Sequence, residues 1–106
     1  MSGDTAPTPS VAEHCAGCDV LIHETYSQQT YEQVSRKWQR YRRTHHTSSK
    51  ELATLALRVK PGLLVLYHRA NAGGALTLAD PEEALLKEIR KLYNGPVVTG
   101  HDLDVF

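Results

Sequence analysis

Apolar residues recur along the chain with two periods, one helical and one extended, and their alternation sets the order of elements. Thr8 followed by Pro9 has the form of a helix start, a side-chain cap with proline at the first helical position. Val11, Ala12, Cys15 and Ala16 then share a face before Gly17 stops the run. Val20-Leu21-Ile22, between Asp19 and His23, is a short unbroken apolar run, the pattern of a strand covered on both faces. Residues 27–45 turn polar, rich in Gln, Arg, Tyr and Thr without a clear apolar stripe, which predicts a helical excursion outside the core.

Ser48 with Glu51 three positions later forms a capping box, and Leu52, Leu55, Ala56 and Val59 carry a helix as far as Pro61-Gly62. Residues 63–67 read as a second buried strand with His68 at its C-terminal end, followed by a loop over 69–79 that Gly73-Gly74 marks as mobile. Asp80-Pro81-Glu82-Glu83 opens another helix through Leu85, Leu86, Ile89, Leu92 and Tyr93, which Gly95-Pro96 ends. Two short strands are predicted, at 97–99 and 103–106, around a Gly100-His101-Asp102 turn.

Strands alternating with helices predict a layered α/β fold, in which loops converge and sites gather at strand ends. The length of 106 residues accommodates one small domain over 1–106, and 41% hydrophobic with 23% charged residues excludes a disordered or fibrous class. A domain this small buries a modest share of its surface, so a missing partner layer is felt strongly. Twelve basic residues balance twelve acidic ones, so the whole-chain field neither requires nor forbids nucleic acid. No segment approaches the roughly 20 apolar residues that span a bilayer and none has the form of a secretory leader, which predicts a cytoplasmic protein with no membrane partner. Cys15 and Cys18 form a Cys-x-x-Cys pair that closes a helix rather than opening one, where the macrodipole would activate a thiol, and they read as buried structural thiols.

Six histidines in so short a chain shift attention to metal chemistry. His23, His45, His46, His68 and His101 all lie next to predicted element ends. Neutral imidazoles with a carboxylate suit zinc, iron or manganese. Four stretches occur in a definite order: Ser2-Gly3-Asp4-Thr5, Asp19-Val20-Leu21-Ile22-His23-Glu24-Thr25, His46-Thr47-Ser48, and Leu63-Leu64-Val65-Leu66-Tyr67-His68. In that order and approximate spacing they resemble the C-terminal half of the metallo-β-lactamase αββα sandwich, nearest to ribonuclease Z-like hydrolases, over nearly the whole chain.

By that resemblance Asp4 matches an aspartate that bridges two metal ions, and His68 a histidine that completes the ligands of the second. The implied cofactor is two divalent ions, zinc by preference, sharing a hydroxide that attacks a phosphodiester or related ester. His23-Glu24-Thr25 resembles the His-Glu-Ala-Thr motif without its small third residue, and His46-Thr47-Ser48 resembles the His-Ser-Thr motif with its last two residues exchanged. Their Glu and His cooperate in proton transfer, which assigns Glu24 to orienting and His46 to donating. Spacing leaves open whether His45 or His46 faces the site. His101-Asp102 resembles a terminal turn near it. The family's His-x-His-x-Asp-His motif and a further lone ligand histidine precede the position of Asp4, so the resemblance implies a partner, the N-terminal half of the fold or a second copy, and an inactive isolated chain.

An alternative stands beside the hydrolase reading. Arg36-Lys37-Trp38-Gln39-Arg40-Tyr41-Arg42-Arg43 interleaves cations with aromatics, a pattern for pairing phosphates and stacking bases, with Arg40, Arg42 and Arg43 as contact residues. A third reading is structural, with two copies pairing through the sheet face that the absent half would cover.

Overall fold

The computed structural model describes residues 1–69 and 82–106. In chain order the elements are α1 (Pro9–His14), β1 (Val20–Thr25), α2 (Gln28–Gln33), α3 (Arg36–His45), α4 (Ser49–Val59), β2 (Leu63–Arg69), α5 (Glu82–Arg90) and β3 (Val97–Thr99). Local signals act where the sequence placed them. The Thr8 side chain accepts from the Ser10 amide with Pro9 opening α1, and Ser48 and Glu51 close a reciprocal capping box on α4. The polar stretch becomes two short helices, α2 capped by Ser27 and α3 following Ser35. The predicted 69–79 loop and the Asp80-Pro81 cap lie outside the described residues, apart from Arg69 at the end of β2.

The three strands form one parallel sheet in the order β1-β2-β3. Leu21 pairs with Leu64 and Leu64 with Val97, so these side chains share one face. That face packs against Ala12 of α1, Leu52, Ala53, Ala56 and Val59 of α4, and Leu85 and Ile89 of α5, in one buried apolar cluster. Parallel strands need crossovers, and here α2, α3 and α4 join β1 to β2. Gly62 is required where β2 starts beside β1, because a Cβ there would sit 2.7 Å from the Asp19 carbonyl oxygen.

Two sequence expectations about strands change. Only the central strand is covered on both faces, with Leu64, Val65 and Leu66 all buried. On the face opposite the helices, Val20 is 43% and Val98 36% exposed, because among the described residues no second layer lies over them. The stretch 103–106 is not a strand: the Asp104 amide donates to the His101 carbonyl in a turn, and Leu103, Val105 and Phe106 are exposed. The cysteines also differ from expectation, since Cys15 and Cys18 are joined as a disulfide. The turn after α1 brings their Cα atoms to 4.9 Å, within disulfide reach, and so the thiols are not free. Among the described residues no helix is long and apolar enough to cross a membrane.

Candidate metal centre

Four segments distant in sequence meet at the C-terminal ends of β1 and β2. The N-terminal segment lies along the outer edge of β1, where the Ser2 amide donates to the Ile22 carbonyl. Residues 46–48 continue the same edge, because the Tyr26 amide donates to the Thr47 carbonyl and the Ser49 amide to the Tyr26 carbonyl. The two segments are pinned to each other by the Thr47 hydroxyl, which donates to the Thr5 carbonyl at 2.7 Å. Glu24, at the penultimate position of β1, is thereby enclosed.

Glu24 has no exposed surface. Its Oε1 accepts from the Thr47 amide at 2.8 Å and the Thr5 amide at 3.3 Å, and its Oε2 lies 3.1 Å from His46 Nδ1. Burial raises the carboxyl to about 7, the two amide hydrogen bonds oppose that without reversing it, and the Asp4 charge raises it further. His46, also buried, is lowered, chiefly by burial, with His68, His45 and Arg42 adding to it against the opposing pull of Asp4. Both directions favour uncharged forms, so we read the Glu24–His46 contact as a hydrogen bond rather than an ion pair.

His46 and His45 separate cleanly. His46 turns inward, whereas His45 is exposed, stacked on Tyr41 at 4.5 Å between ring centroids, with its Nδ1 at 2.7 Å from the Thr44 hydroxyl. His23 is buried with Nδ1 donating to the Glu24 carbonyl at 2.7 Å, a structural role that holds the end of β1. His68 reaches the site through a backbone irregularity. Glu24 pairs with Tyr67 but Thr25 with Arg69, so His68 is the extra residue of a bulge, and its φ of 40° is left-handed. A β-strand would alternate side chains strictly, and the bulge re-aims this one. The buried Thr25 hydroxyl beside the bulge has no hydrogen-bond partner among the described residues.

The outcome is a cluster of three donors. One ligand-type atom from each of Asp4, His46 and His68 lies within 4.8 Å of the others, and His68 Nε2 is 3.3 Å from Asp4 Oδ2. With His46 Nδ1 engaged by Glu24, Nε2 is the imidazole atom left for the cluster. A groove of about 600 Å³ opens from Asp4 and His46 along residues 5–8 on one side and Tyr41, Thr44 and His45 on the other.

The remaining predicted residues lie elsewhere. Arg40 and Arg43 are exposed on α3, but Arg42 is buried, donating to the Thr30 hydroxyl at 3.2 Å and lying over the Tyr26 ring. Arg42 therefore anchors α3 to α2 and is corrected from a surface contact to a packing residue. His101 is held by Glu82, at 2.5 Å, and by Asp104, at 3.2 Å. The bulge at His68 and the Thr5 and Thr47 amides around Glu24 escaped sequence reasoning, since neither a register shift nor a backbone donor has a residue-type signature.

Comparison with known proteins bears on the fold and on the family likeness of the chain. No family model matches the chain. It is 32% identical over 103 residues to a ribonuclease Z of Myxococcus xanthus, covering 96% of this chain and 30% of that protein. It is 27% identical over 93 residues to a ribonuclease Z of Picrophilus torridus, covering 88% and 26%, and 28% identical over 103 residues to one of Mycobacterium tuberculosis, covering 97% and 36%. The chain thus spans about a third of the length of these relatives. Among solved structures, the metallo-beta-lactamase fold protein YhfI from Bacillus subtilis superposes with a TM-score of 0.64 at 22% identity, covering 92% of this chain and 34% of that one. The chain is therefore similar to ribonuclease Z over nearly all of its residues and has part of the metallo-β-lactamase fold.

Proposed function

We propose that the chain supplies part of the active site of a metal-dependent phosphodiesterase, with Asp4 and His68 as metal ligands and Glu24 and His46 as the proton-transfer pair. The convergence of Asp4, His46 and His68, with ligand-type atoms within 4.8 Å of one another, and of Glu24 on His46 Nδ1 supports the reading. One carboxylate with imidazoles is a donor set for zinc, iron or manganese rather than calcium or magnesium. Two ligands at about 2.0–2.1 Å from one tetrahedral ion stand about 3.3 Å apart. The Asp4–His68 separation of 3.3 Å fits that value without rearrangement.

A bound divalent ion would polarise a phosphoryl oxygen and lower the pKa of a coordinated water. The chain's own residues do the rest. Glu24, immobilised by the Thr5 and Thr47 amides, holds the imidazole through Nδ1, and His46 Nε2 donates to the leaving oxygen of a nucleic-acid phosphodiester. The resemblance implies a second ion sharing Asp4, with further ligands from a His-x-His-x-Asp-His segment, a motif that these 106 residues do not contain. The apolar sheet face carrying Val20 and Val98 is the surface on which that complementary layer, or a second copy of the chain, packs.

Zinc titration of the chain by calorimetry tests the reading. Asp4→Asn and His68→Ala should each abolish zinc uptake, while His46→Ala should leave it within about twofold. Zinc uptake indifferent to Asp4 and His68 would remove the metal assignment, and its loss in His46→Ala would move His46 from proton transfer to ligation.

A further inference from the structure

The stretch that does not form a strand is fastened by a cluster outside the metal site. His101 stands between two carboxylates, with Nε2 2.5 Å from Glu82 Oε1 on α5 and Nδ1 3.2 Å from Asp104 Oδ2. A neutral imidazole has one N–H and one lone pair, so only the imidazolium donates to both. The His101 amide also donates to Asp104 Oδ2 at 2.8 Å, and from β3 the Thr99 hydroxyl donates to Glu82 Oε2 at 3.1 Å. Helix α5, strand β3 and the turn after it are thus tied at one side chain. Glu82 and Asp104 hold the His101 pKa above its ordinary value, the Glu82 hydrogen bond first.

The segment restrained by this clasp is strained and apolar. Leu103 has a φ of 71°, in the left-handed region that a side chain disfavours. Leu103 and Val105 are 98% and 96% exposed, but Phe106 is 58% exposed. Its partial cover comes from the sheet. Val65 pairs with Ile22 and Val98, so it lies on the open face that also carries Val20, yet it is 1% exposed where Val98 is 36%. A Cβ at Gly100 would stand 3.0 Å from Val65 Cγ1 and 3.6 Å from Phe106 Cζ, so the methyl and the ring tip flank one point at the end of β3.

We infer that residues 101–106 are a displaceable cover on the open sheet face, held shut by His101 between Glu82 and Asp104, and that opening it admits a second copy of the chain to that face. The inference rests on the reading of this face as a packing surface and is independent of the metal assignment. A formal net charge of zero leaves no long-range repulsion between two copies. The fastening is weak by construction, because exposed ion pairs are screened by water, while the left-handed Leu103 favours release. With a raised pKa, the His101 contribution is fully present below the ordinary value of 6.5 and is lost as pH rises through the folded value. The cover is therefore shut in mild acid and opens toward alkaline pH.

Methyl NMR of the whole chain reads the cover, and sedimentation equilibrium reads self-association. A nuclear Overhauser contact between the Val65 methyls and the Phe106 ring is expected at pH 6 and should fade by pH 9. His101→Ala, and Asp104→Asn, which removes the charge, should weaken it at pH 6, and in His101→Ala its pH dependence should disappear. Unchanged methyl signals from the Leu64 and Ile89 core verify that the variants fold. Opening should raise the association constant about threefold to tenfold, the scale set by exposed ion pairs, and Val20→Lys on the open face should reverse the rise. Absence of the Val65–Phe106 contact at pH 6, or its indifference to His101→Ala, overturns the inference. Association unchanged in the open variants but weakened by Val20→Lys also overturns it, leaving the face as a packing surface without a gate. Association indifferent to Val20→Lys as well removes the face as a seat for a second copy.

Discussion

Glu24, fully buried, and Glu88, half-buried, both accept several hydrogen bonds and respond oppositely. Both accept backbone amides beside a helix entrance, Glu24 from Thr47 just ahead of α4 and Glu88 from Gln28 and Gln29 at the start of α2. Burial would raise the Glu88 carboxyl, but hydrogen bonds from Ser49 at 2.6 Å, the Gln28 amide, Ser27 at 2.9 Å and the Gln29 amide outweigh it and hold it below the ordinary carboxylate range. Glu24 has two amide donors, full burial and the Asp4 charge nearby, and is raised to about 7. Depth of burial set against the number of donors, with the sign of the nearest charge, decides which way such a carboxylate moves. One acid is arranged to stay charged and to fasten α5 across the start of α2, while the other is buried against an imidazole.

Removing the Glu24 carboxylate should have the largest effect. Glu24→Ala leaves the buried Thr47 amide and His46 Nδ1 without partners, a loss of about 3 kcal/mol in denaturant unfolding. Glu88→Ala should cost about 1 kcal/mol, since the Gln28 and Gln29 amides it releases lie at the surface and water can replace it. Equal losses would show that the two enclosures are energetically alike and break the comparison. Thr47→Val, which deletes the hydroxyl bond to Thr5, should cost about 1 kcal/mol and also free the segment bearing Asp4, so zinc affinity should fall with stability. Ser49→Ala removes one of four donors to Glu88 and should cost about 0.5 kcal/mol.

The pH dependence sharpens the contrast. A depressed folded-state pKa means that the Glu88 contribution is fully present above the unfolded carboxylate value near 4.5 and is lost as pH falls through the lower folded value. Unfolding midpoints measured from pH 6 down to pH 3 should therefore fall less steeply in Glu88→Gln than in wild type. An unchanged acid limb in that variant would show that Ser27 and Ser49 do not favour the charged form.

The chain's periodicity reached most of the fold because its signals are local. Thr8-Pro9, the Ser48 and Glu51 box and the unbroken apolar run of β2 act within a few residues, and each element formed where those signals lie. The run at 103–106 failed for a non-local reason: apolar residues form a strand only where a sheet edge receives them. The order of Asp4, Glu24, His46 and His68 was legible as a pattern, as were the cations and aromatics of α3.

What the sequence determined by itself is the set of elements and the residue types available for chemistry, since capping, helical period and donor chemistry belong to individual residues and their near neighbours. Tertiary structure decided how those residues are used. It turned His46 inward and His45 outward, because residues 46–48 extend the edge of β1 while α3 ends one residue earlier. It buried Arg42 against Thr30 and Tyr26, and it swung His68 toward Asp4 through a bulge that exists only because β1 and β2 pair out of register there. Each of these outcomes depends on contacts between segments twelve or more residues apart, and such contacts leave no mark on the local pattern.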